Sequence, residues 1–320
     1  MDFTDSVLRH SPWSYSKCGV LEKCVLQYHK KHVQRKRELG ESSESKVGVA
    51  VHYVTECVTK EDTAPTDELL NRAVERGKLT LTEKDAMMSF VPKVEKFADW
   101  LRNFIHQNGV TETLVEHKMA INRRFEDVPF MPTRPWTPEE LLVPWTGREP
   151  ERPAGKPLNG EELTRAVLDG TAPVMRGLLD LGLMTRNNDL VIIDHKTGKH
   201  RNIADHAAQL NIYRLFAVAR YPVRAVQCAI HYVETGRIDW TPPMTAAQVR
   251  AVIQPWLVTY LNKQHYRLQL VDGPTPPQPE VGWQCSYCGF VHECEAGRAE
   301  AILRAEKRKN KGQAPGGISI

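Results

Sequence analysis

The 320-residue sequence contains no apolar run long enough to span a bilayer, which excludes a membrane-spanning helix. Its first stretch, MDFTDSVLRHSPW, lacks the basic and then apolar order of a secretion signal. The sequence also lacks internal repeats and the G-x-x-x-x-G-K-S/T loop that cradles nucleotide phosphates in motor ATPases. These absences predict a cytoplasmic protein that has no membrane contact and no helicase motor of its own.

The composition is that of a globular protein, with 41% hydrophobic and 26% charged residues. The formal net charge of +4 permits nucleic-acid binding without requiring it. Two segments are more basic than the rest: residues 30–37 contain five Lys or Arg in eight positions, and residues 304–313 form a second basic run. For either run alone, a solvated surface is an equally good interpretation.

Hydrophobic periodicity predicts an α/β protein with a small sheet flanked by helices. The predicted helices cover residues 14–37, 47–58, 83–107 with a kink at Pro92, 205–221, and most of 245–270. The predicted strands cover residues 112–122, 174–184, 190–198 and 223–234, and the turn at 187–189 predicts a hairpin between the second and third. Residues 129–158 contain eight prolines and predict an irregular insertion that a short helix closes.

The segment LVIIDHKTGK, residues 190–199, is a buried-looking strand that ends in polar residues. Because side chains alternate along a strand, Asp194 and Lys196 share a face and His195 points to the other side. The hairpin brings Asp180 of the preceding strand alongside. Two carboxylates suit Mg²⁺ or Mn²⁺, and a metal beside a lysine suits phosphodiester hydrolysis. On this segment alone, a strand that simply ends in a turn remains a competing interpretation.

Four short motifs occur in one order along the chain. Each motif contains two key residues. In chain order these are Gly48 and His52, Gly177 and Asp180, Asp194 and Lys196 (followed by Thr-Gly), and Gln209 and Tyr213. This series resembles the PD-(D/E)xK nuclease superfamily, and within it the RecB-like exonuclease branch. The stretch WSYSKCGVLEKCVLQY also resembles the N-terminal helix of that branch. The resemblance covers residues 14–58 and 174–294, and the insertion at 129–173 matches no part of it.

The resemblance implies a role for each motif residue. His52, Asp180 and Asp194 would bind Mg²⁺ or Mn²⁺, and the backbone carbonyl of His195 would add an oxygen. Lys196 would position the attacking water and stabilise the developing negative charge.

The remaining motif residues and two nearby acids have other expected roles. Gln209 and Tyr213 lie one helical turn apart and would contact DNA or support the lysine, although an ordinary helix surface remains an alternative. Glu116 and Glu56 are candidate further acids outside the core set.

Seven cysteines, an odd number, argue against a closed disulfide framework. Cys285, Cys288 and Cys294 form a C-x2-C-x5-C cluster that cannot complete a four-coordinate site alone. In RecB-like nucleases such a triplet joins one N-terminal cysteine around a 4Fe–4S cluster, and the resemblance implies Cys24, rather than Cys18, as that partner. Zinc is the competing metal, and His292 is a possible substitute ligand.

The remaining cysteines have structural interpretations. Cys57 and Cys228 fall in apolar runs and are predicted core residues, and Cys18 is predicted to be structural.

The resemblance implies a restriction-endonuclease-like core within a single nuclease domain, residues 1–303. Its expected parts are a helical N-terminal part (14–110), the insertion (129–173), the catalytic core (174–270), the cysteine segment (281–296) and, beyond it, a basic disordered tail (304–320).

The implied activity is a DNA nuclease, an exonuclease on single-stranded DNA or DNA ends, in a bacterial or phage-infected cell. Recombination, repair, phage DNA processing and CRISPR adaptation all remain open, and unwinding would need a helicase or recombination partner. The basic helix 30–37, with Trp13, Tyr15 and Tyr28, is expected to contact phosphates and stack bases. One rival is a catalytically silent RecB-like module that binds DNA or a scaffold partner. Another is a zinc protein whose Asp and Lys residues are coincidental.

Overall fold

The computed structural model describes residues 2–40, 42–147, 151–198 and 202–310. The α-helices in chain order are α1 (Asp5–Arg9), α2 (Tyr15–Lys23), α3 (Val25–Tyr28), α4 (Ser43–Glu61), α5 (Asp67–Gly77), α6 (Leu81–Met88), α7 (Val91–Asn108), α8 (Pro138–Leu142), α9 (Gly160–Asp169), α10 (Ala207–Arg220), α11 (Ala246–Gln248), α12 (Gln254–Asn262), α13 (His265–Val271) and α14 (Glu295–Asn310). The strands are β1 (Val110–Ile121), β2 (Thr133–Arg134), β3 (Lys156–Pro157), β4 (Met175–Thr185), β5 (Asp189–Lys196), β6 (Ala225–Tyr232), β7 (Arg237–Trp240) and β8 (Met244–Thr245).

Six strands form one mixed sheet in the order β1-β4-β5-β6-β7, with β8 also paired to β6. Strands β4 and β5 form the predicted antiparallel hairpin, in which Leu181 pairs with Ile193. Strands β5 and β6 are parallel, and α10 makes the crossover between them. The prediction of a mixed sheet flanked by helices is therefore confirmed.

Alternate residues of β5 face two different helical layers. Leu190 and Ile192 join the larger core beneath α10, whereas Val191 and Ile193 join a second core beneath α7. Successive side chains of a strand point to opposite faces of the sheet. The same alternation places Asp194 and His195 on opposite faces at the end of β5.

Helix α4 packs with α5, α6 and the start of α7 around a third apolar cluster. Gly48, one turn before His52, lies against the end of β5, because a Cβ atom there would be 3.0 Å from Thr197 Oγ1. Gly177 of β4 has a similar role, since a Cβ atom there would be 2.7 Å from a ring carbon of Phe216 on α10. The glycines of two motifs thus permit close approach of helices to the strands that carry the polar residues.

Several predicted boundaries differ from the structure. The helix predicted over 14–37 is interrupted at Cys24, whose backbone is extended, and it continues as α3 and a π-helical turn, His29–Val33. The helix predicted over 83–107 is two helices, and Pro92 lies at the start of α7, where its missing N–H needs no partner.

The C-terminal half of the chain also differs at its boundaries. The segment 245–270 divides into α11, a π-helical turn (Val249–Ile253), α12 and α13. Helix α14 extends to Asn310, into the segment for which the sequence predicts a disordered tail. Its Glu300–Arg304 pair, one turn apart, favours this extension. Residues 311–320 lie outside the described part.

The Pro-rich insertion has little regular structure, as predicted. It contains the short β2–β3 pair and helix α8, and α9 closes it. Arg134 of β2 forms ion pairs with Glu140 of α8 and Glu162 of α9. Among the described helices, none is both long and apolar enough to cross a membrane.

Candidate active site and cysteine-lined cavity

The β4–β5 hairpin brings two carboxylates together at one end of the sheet. Asp180 Oδ2 accepts a hydrogen bond of 2.7 Å from the His195 backbone N–H. Asp194 is almost fully enclosed, with a side chain that is 2% exposed. Burial, followed by repulsion from Asp194, raises the pKa of Asp180 well above its usual value. A pair of this kind favours a cation between or beside its members.

Lys196 lies on the same face as Asp194, as strand alternation predicts. Its Nζ is 2.7 Å from Asp194 Oδ2 and donates a hydrogen bond of 3.1 Å to Gln209 Oε1. The contact with Asp194 is an ion pair, and Oδ2 accepts no hydrogen bond from the residues that the structure describes. The ammonium group is therefore held beside the carboxylates by two partners.

Helix α10 supplies the outer partners of this site. Gln209 Nε2 donates to Asp194 Oδ1 at 2.7 Å, and the Tyr213 hydroxyl donates to the same oxygen at 3.2 Å. Gln209 also bonds to the Tyr213 hydroxyl at 2.7 Å. Burial and then the negative charge of Asp194 raise the pKa of Tyr213 well above its usual value. Of the two roles expected for this pair, the contacts match support of Asp194 and Lys196.

His52 reaches the site from α4. Its Nδ1 is 3.9 Å from Asp180 Oδ2, and its side chain is 35% exposed. Burial lowers the pKa of His52, while the Asp194 charge and a hydrogen bond with the His195 backbone act in the opposite direction. The imidazole, the two carboxylates and the backbone at His195 are thus neighbours, as the motifs predict.

The His195 side chain points to the other face of the sheet, again as predicted. Its Nδ1 lies 3.0 Å from His231 Nδ1, and its ring meets Phe97 edge-on at 4.9 Å between centroids. Burial lowers the pKa of His195 well below its usual value, with the neighbouring His231 adding to the effect. Only the backbone of His195 therefore belongs to the site.

Two residues outside the predicted core set also lie near this centre. Tyr15 of α2 is half-buried; burial raises its hydroxyl pKa, and the charges of Lys196 and Asp194 act on it in opposite directions. Glu116 adopts a positive φ of 48° inside β1, which is uncommon for a residue with a side chain. Burial and then Glu56 raise the pKa of Glu116. A single Glu in an alternating strand gives no sequence signal for such a position.

The described residues contain no group of three or more His, Cys, Asp or Glu side chains in the arrangement of a metal site. The carboxylates and His52 are therefore neighbours rather than a formed coordination sphere. Asp194 and Lys196 neutralise each other in this arrangement, and a bound divalent ion would compete with the ammonium group for Asp194 Oδ2.

A second polar centre lies between the N-terminal helices and the C-terminal segment. Cys24, Cys285, Cys288 and Cys294 all line one cavity whose other walls include Phe290. The Gly297 N–H donates to Cys294 Sγ at 3.4 Å, and a Cβ atom at Gly297 would lie 3.1 Å from that sulfur. Glycine therefore keeps the backbone close to the thiols.

The thiols of the cavity influence one another. Burial raises the pKa of Cys288 to about 11, and Cys24 and Cys285 add smaller increments. Burial also raises the pKa of Cys285, with smaller contributions from Cys24 and Cys294. The four thiols therefore line one cavity and affect each other's pKa, but they do not form a metal-type cluster among the described residues.

The other cysteines and His292 lie elsewhere. Cys18, Cys57 and Cys228 are buried in apolar surroundings, as predicted. His292 is absent from the cavity lining and lies 3.5 Å from a carboxylate oxygen of Glu293.

The expectation that Trp13 and Tyr28 stack bases is wrong. Both side chains are fully buried, and Trp13 Nε1 donates to the Val7 carbonyl at 2.8 Å. The basic run 30–37 is also largely paired within the protein. Lys30 and Lys36 bind Glu293, and Lys31 binds Glu38. The two pairs with Glu293 attach the run to the cysteine segment, whereas Arg35 and Arg37 are exposed.

Comparison with known proteins completes this description. A structural comparison finds the crystal structure of SSO0001, which is 16% identical, with a TM-score of 0.29 over 87% of this chain and 96% of that chain; a likeness this weak supports no conclusion. Comparison with curated proteins finds no match. The family model of the PD-(D/E)XK nuclease superfamily matches residues 12–295, a range that includes both polar centres. The chain therefore belongs to the PD-(D/E)XK nuclease superfamily.

Proposed function

We propose that the protein is a metal-dependent DNA nuclease, an exonuclease on single-stranded DNA or DNA ends, with a restriction-endonuclease-like core of the RecB-like type. Membership of the superfamily implies nuclease activity on DNA, and its members usually use Mg²⁺ or Mn²⁺. The observation that carries the finer proposal is the placement of the partly buried Asp180 beside the enclosed Asp194, with Lys196 Nζ 2.7 Å from Asp194.

The residues that would hold the divalent ion are Asp180, Asp194, His52 and the carbonyl oxygen of His195. Oxygen and imidazole donors suit Mn²⁺, and the oxygen donors alone suit Mg²⁺. The raised pKa of Asp180 and the Asp194 oxygen without a hydrogen bond both fit a cation in this place. When bound, such an ion polarises the phosphate and lowers the pKa of a bound water.

The chain's own side chains would orient the reacting groups. Lys196 is placed to hold a water molecule and to stabilise negative charge that develops on the phosphate. Gln209 fixes Lys196 through its oxygen and Asp194 through its nitrogen, so the ammonium and carboxylate groups keep their separation. Tyr213 closes this network from the buried side.

The four-thiol cavity would hold a 4Fe–4S cluster, with zinc as the alternative. Four cysteine thiolates suit either metal, and the lining by Cys24, Cys285, Cys288 and Cys294 fits both. Bound there, either group would fasten α2 and α3 to the C-terminal segment. The proposed role is structural.

Cleavage of end-labelled DNA tests the enzymatic proposal. Single-stranded and duplex substrates, labelled at the 5′ or the 3′ end, are incubated with the protein and Mn²⁺. We expect the wild type to digest DNA from an end and Asp194→Ala to leave it intact. Binding without cleavage, under every divalent ion tried, would instead favour the silent DNA-binding module.

Metal analysis of anaerobically purified protein tests the cofactor proposal separately. Iron together with acid-labile sulfide supports the 4Fe–4S cluster. Zinc without iron would replace the cluster with a zinc site and leave the nuclease proposal standing.

A further inference from the structure

Four aromatic side chains of α7 and β7 form a continuous row on the sheet face opposite Lys196. We call Phe97, Trp100, Phe104 and Trp240 the aromatic ladder. The Phe97 and Trp100 ring centroids are 5.5 Å apart, those of Trp100 and Phe104 are 5.1 Å apart, and those of Phe104 and Trp240 are 6.0 Å apart with an interplanar angle of 15°. The ladder therefore leads from a buried ring to the surface.

The buried end of the ladder lies next to the candidate active site. Phe97 stacks on His231 at 4.2 Å, and His231 bonds to His195, which stands between Asp194 and Lys196 in the sequence. The Val233 N–H donates to the Lys196 carbonyl at 2.9 Å, which fixes the end of β6 to the end of β5.

The outer end of the ladder is open. Two adjoining clefts of about 710 and 630 Å³ share Phe104 and Trp240 in their walls. Trp240 is 37% exposed on β7, which is at the edge of the sheet.

The larger cleft also carries positive charge. Lys93 and Lys96 of α7 line it, against a single acidic neighbour, Glu234. Lys96 is exposed, and neither lysine has an ion-pair partner among the residues that the structure describes. The Lys93 ammonium lies 4.9 Å above the Phe90 ring centroid, and flat rings flanked by ammonium groups outside ion pairs match a strand that presents unpaired bases and phosphates together.

We propose that the aromatic ladder, with Lys93 and Lys96, binds single-stranded DNA by stacking its bases on Trp240, Phe104 and Trp100. This inference rests on the proposed function and adds to it the surface that holds the unpaired strand. A duplex would not fit this surface in the same way, because its bases are already stacked on each other.

The test is a binding measurement in which no cleavage occurs. All proteins carry Asp194→Asn, and fluorescence anisotropy reports binding to two labelled oligonucleotides of about 15 nucleotides, a length in the range of single-strand binding sites. One oligonucleotide is thymidine throughout and the other is abasic, so they share phosphates and differ in bases. The parent is expected to bind the thymidine oligonucleotide more tightly.

Trp240→Leu keeps an apolar side chain but removes the stacking surface. We expect it to weaken binding of the thymidine oligonucleotide about tenfold, the size expected for loss of one base–aromatic stack, and to leave the abasic one unchanged. Trp240→Phe should retain most of the affinity, and it keeps the test valid if the leucine variant folds poorly. Tyr266→Leu, at a residue that is 77% exposed on α13, is the matched control.

Lys96→Ala should weaken the binding of both oligonucleotides by a similar factor. It should also reduce the salt dependence of binding, because it removes a phosphate contact. Lys263→Ala, an exposed lysine between α12 and α13, is its control.

If the parent binds the thymidine oligonucleotide and Trp240→Leu binds it equally well, the ladder inference is wrong and the nuclease proposal is untouched. If the parent binds neither oligonucleotide, the ladder inference is wrong, whereas the nuclease proposal is decided separately by the cleavage assay on single-stranded and duplex DNA.

Discussion

The candidate active site and the cysteine-lined cavity are both polar centres built from distant parts of the chain, but they are held in different ways. At the active site each key side chain has a defined partner: Asp180 binds the His195 N–H, and Gln209 binds both Asp194 and Lys196. At the cavity the sulfurs are contacted by backbone groups: the Gly297 N–H donates to Cys294 Sγ, and backbone hydrogen bonds from Gly282 and Phe290 act on the thiols of Cys285 and Cys288.

This difference separates two uses of polar residues. The first centre is positioned by the protein itself, so losing one side chain should alter chemistry more than stability. The second is a set of donors that a metal would complete, so losing one thiol should alter stability first. The following variants test this contrast, from the largest expected effect to the smallest.

Replacing Lys196 should have the largest effect on activity. Lys196→Ala removes the ammonium group beside Asp194, and we expect cleavage to fall by about three orders of magnitude, the range seen when a charge-stabilising group is lost. The thermal midpoint should fall as well, because Asp194, whose side chain is 2% exposed, loses the ammonium group that neutralises it. Cleavage rates and melting curves measure both quantities. Lys84→Ala, on α6, is the control; near-normal cleavage by Lys196→Ala would remove the lysine from the mechanism.

Replacing Cys285 should have the largest effect on stability. Cys285→Ser weakens the metal site that joins the N-terminal helices to the C-terminal segment, and we expect the free energy of unfolding to fall by about 3 kcal/mol or more. Metal content and urea unfolding measure the effect. Cys57→Ser, in the α4 core, keeps all four cavity thiols and should retain the bound metal. Equal metal content in both variants would contradict the four-cysteine site.

Replacing Tyr213 should give an intermediate effect on activity. Tyr213→Phe removes only the hydroxyl that bonds Asp194 and Gln209, and a hydrogen bond to a charged group contributes about 1.5–3 kcal/mol. Cleavage should therefore slow by about tenfold or somewhat more. Tyr221→Phe, whose hydroxyl bonds His117 at 2.9 Å near the end of the same helix, should cleave normally. Equal rates for the two variants would show that Tyr213 is an ordinary packing residue.

Adding one methyl group at Gly48 should give the smallest effect. A Cβ atom there would lie 3.0 Å from Thr197 Oγ1, so either the Thr197 side chain or α4 must give by a few tenths of an ångström, and movement of α4 would displace His52. We expect cleavage by Gly48→Ala to fall severalfold, as positioning errors allow. Thr197→Ala in the same protein should restore part of the rate by making room.

Gly19→Ala is the control for this substitution. It introduces a methyl group into α2 where no atom lies within 4 Å, and it should stabilise the protein by about 0.5–1 kcal/mol. A rate for Gly48→Ala equal to that of the wild type would show that the close approach of α4 does not set the position of His52.

Much of the candidate active site could be predicted from the sequence because its geometry follows from the regular spacing of side chains along strands and helices. Strand alternation separates Asp194 and Lys196 from His195, and helix spacing places Gln209 and Tyr213 on one face. A hairpin turn then places Asp180 beside Asp194. The placement of His52 needed the family resemblance, because a single histidine on a helix has no distinctive spacing.

The features that the sequence did not predict depend on tertiary contacts. Nothing local distinguishes the buried Trp13 and Tyr28 from exposed aromatic residues near a basic run. The aromatic ladder joins α7 to β7, which are separated by most of the sheet, so periodicity alone does not reveal it. The break at Cys24 likewise follows from packing against the cysteine segment rather than from helix propensity.

The most direct test of the central claim is whether Mn²⁺ binds to the paired carboxylates. Electron paramagnetic resonance, recorded in the absence of DNA, measures this binding. The wild type should bind Mn²⁺, Asp180→Asn and Asp194→Asn should each lose most of this binding, and Glu139→Gln on α8 should retain it. Equal Mn²⁺ binding by the wild type and both Asp variants would contradict the proposed metal site.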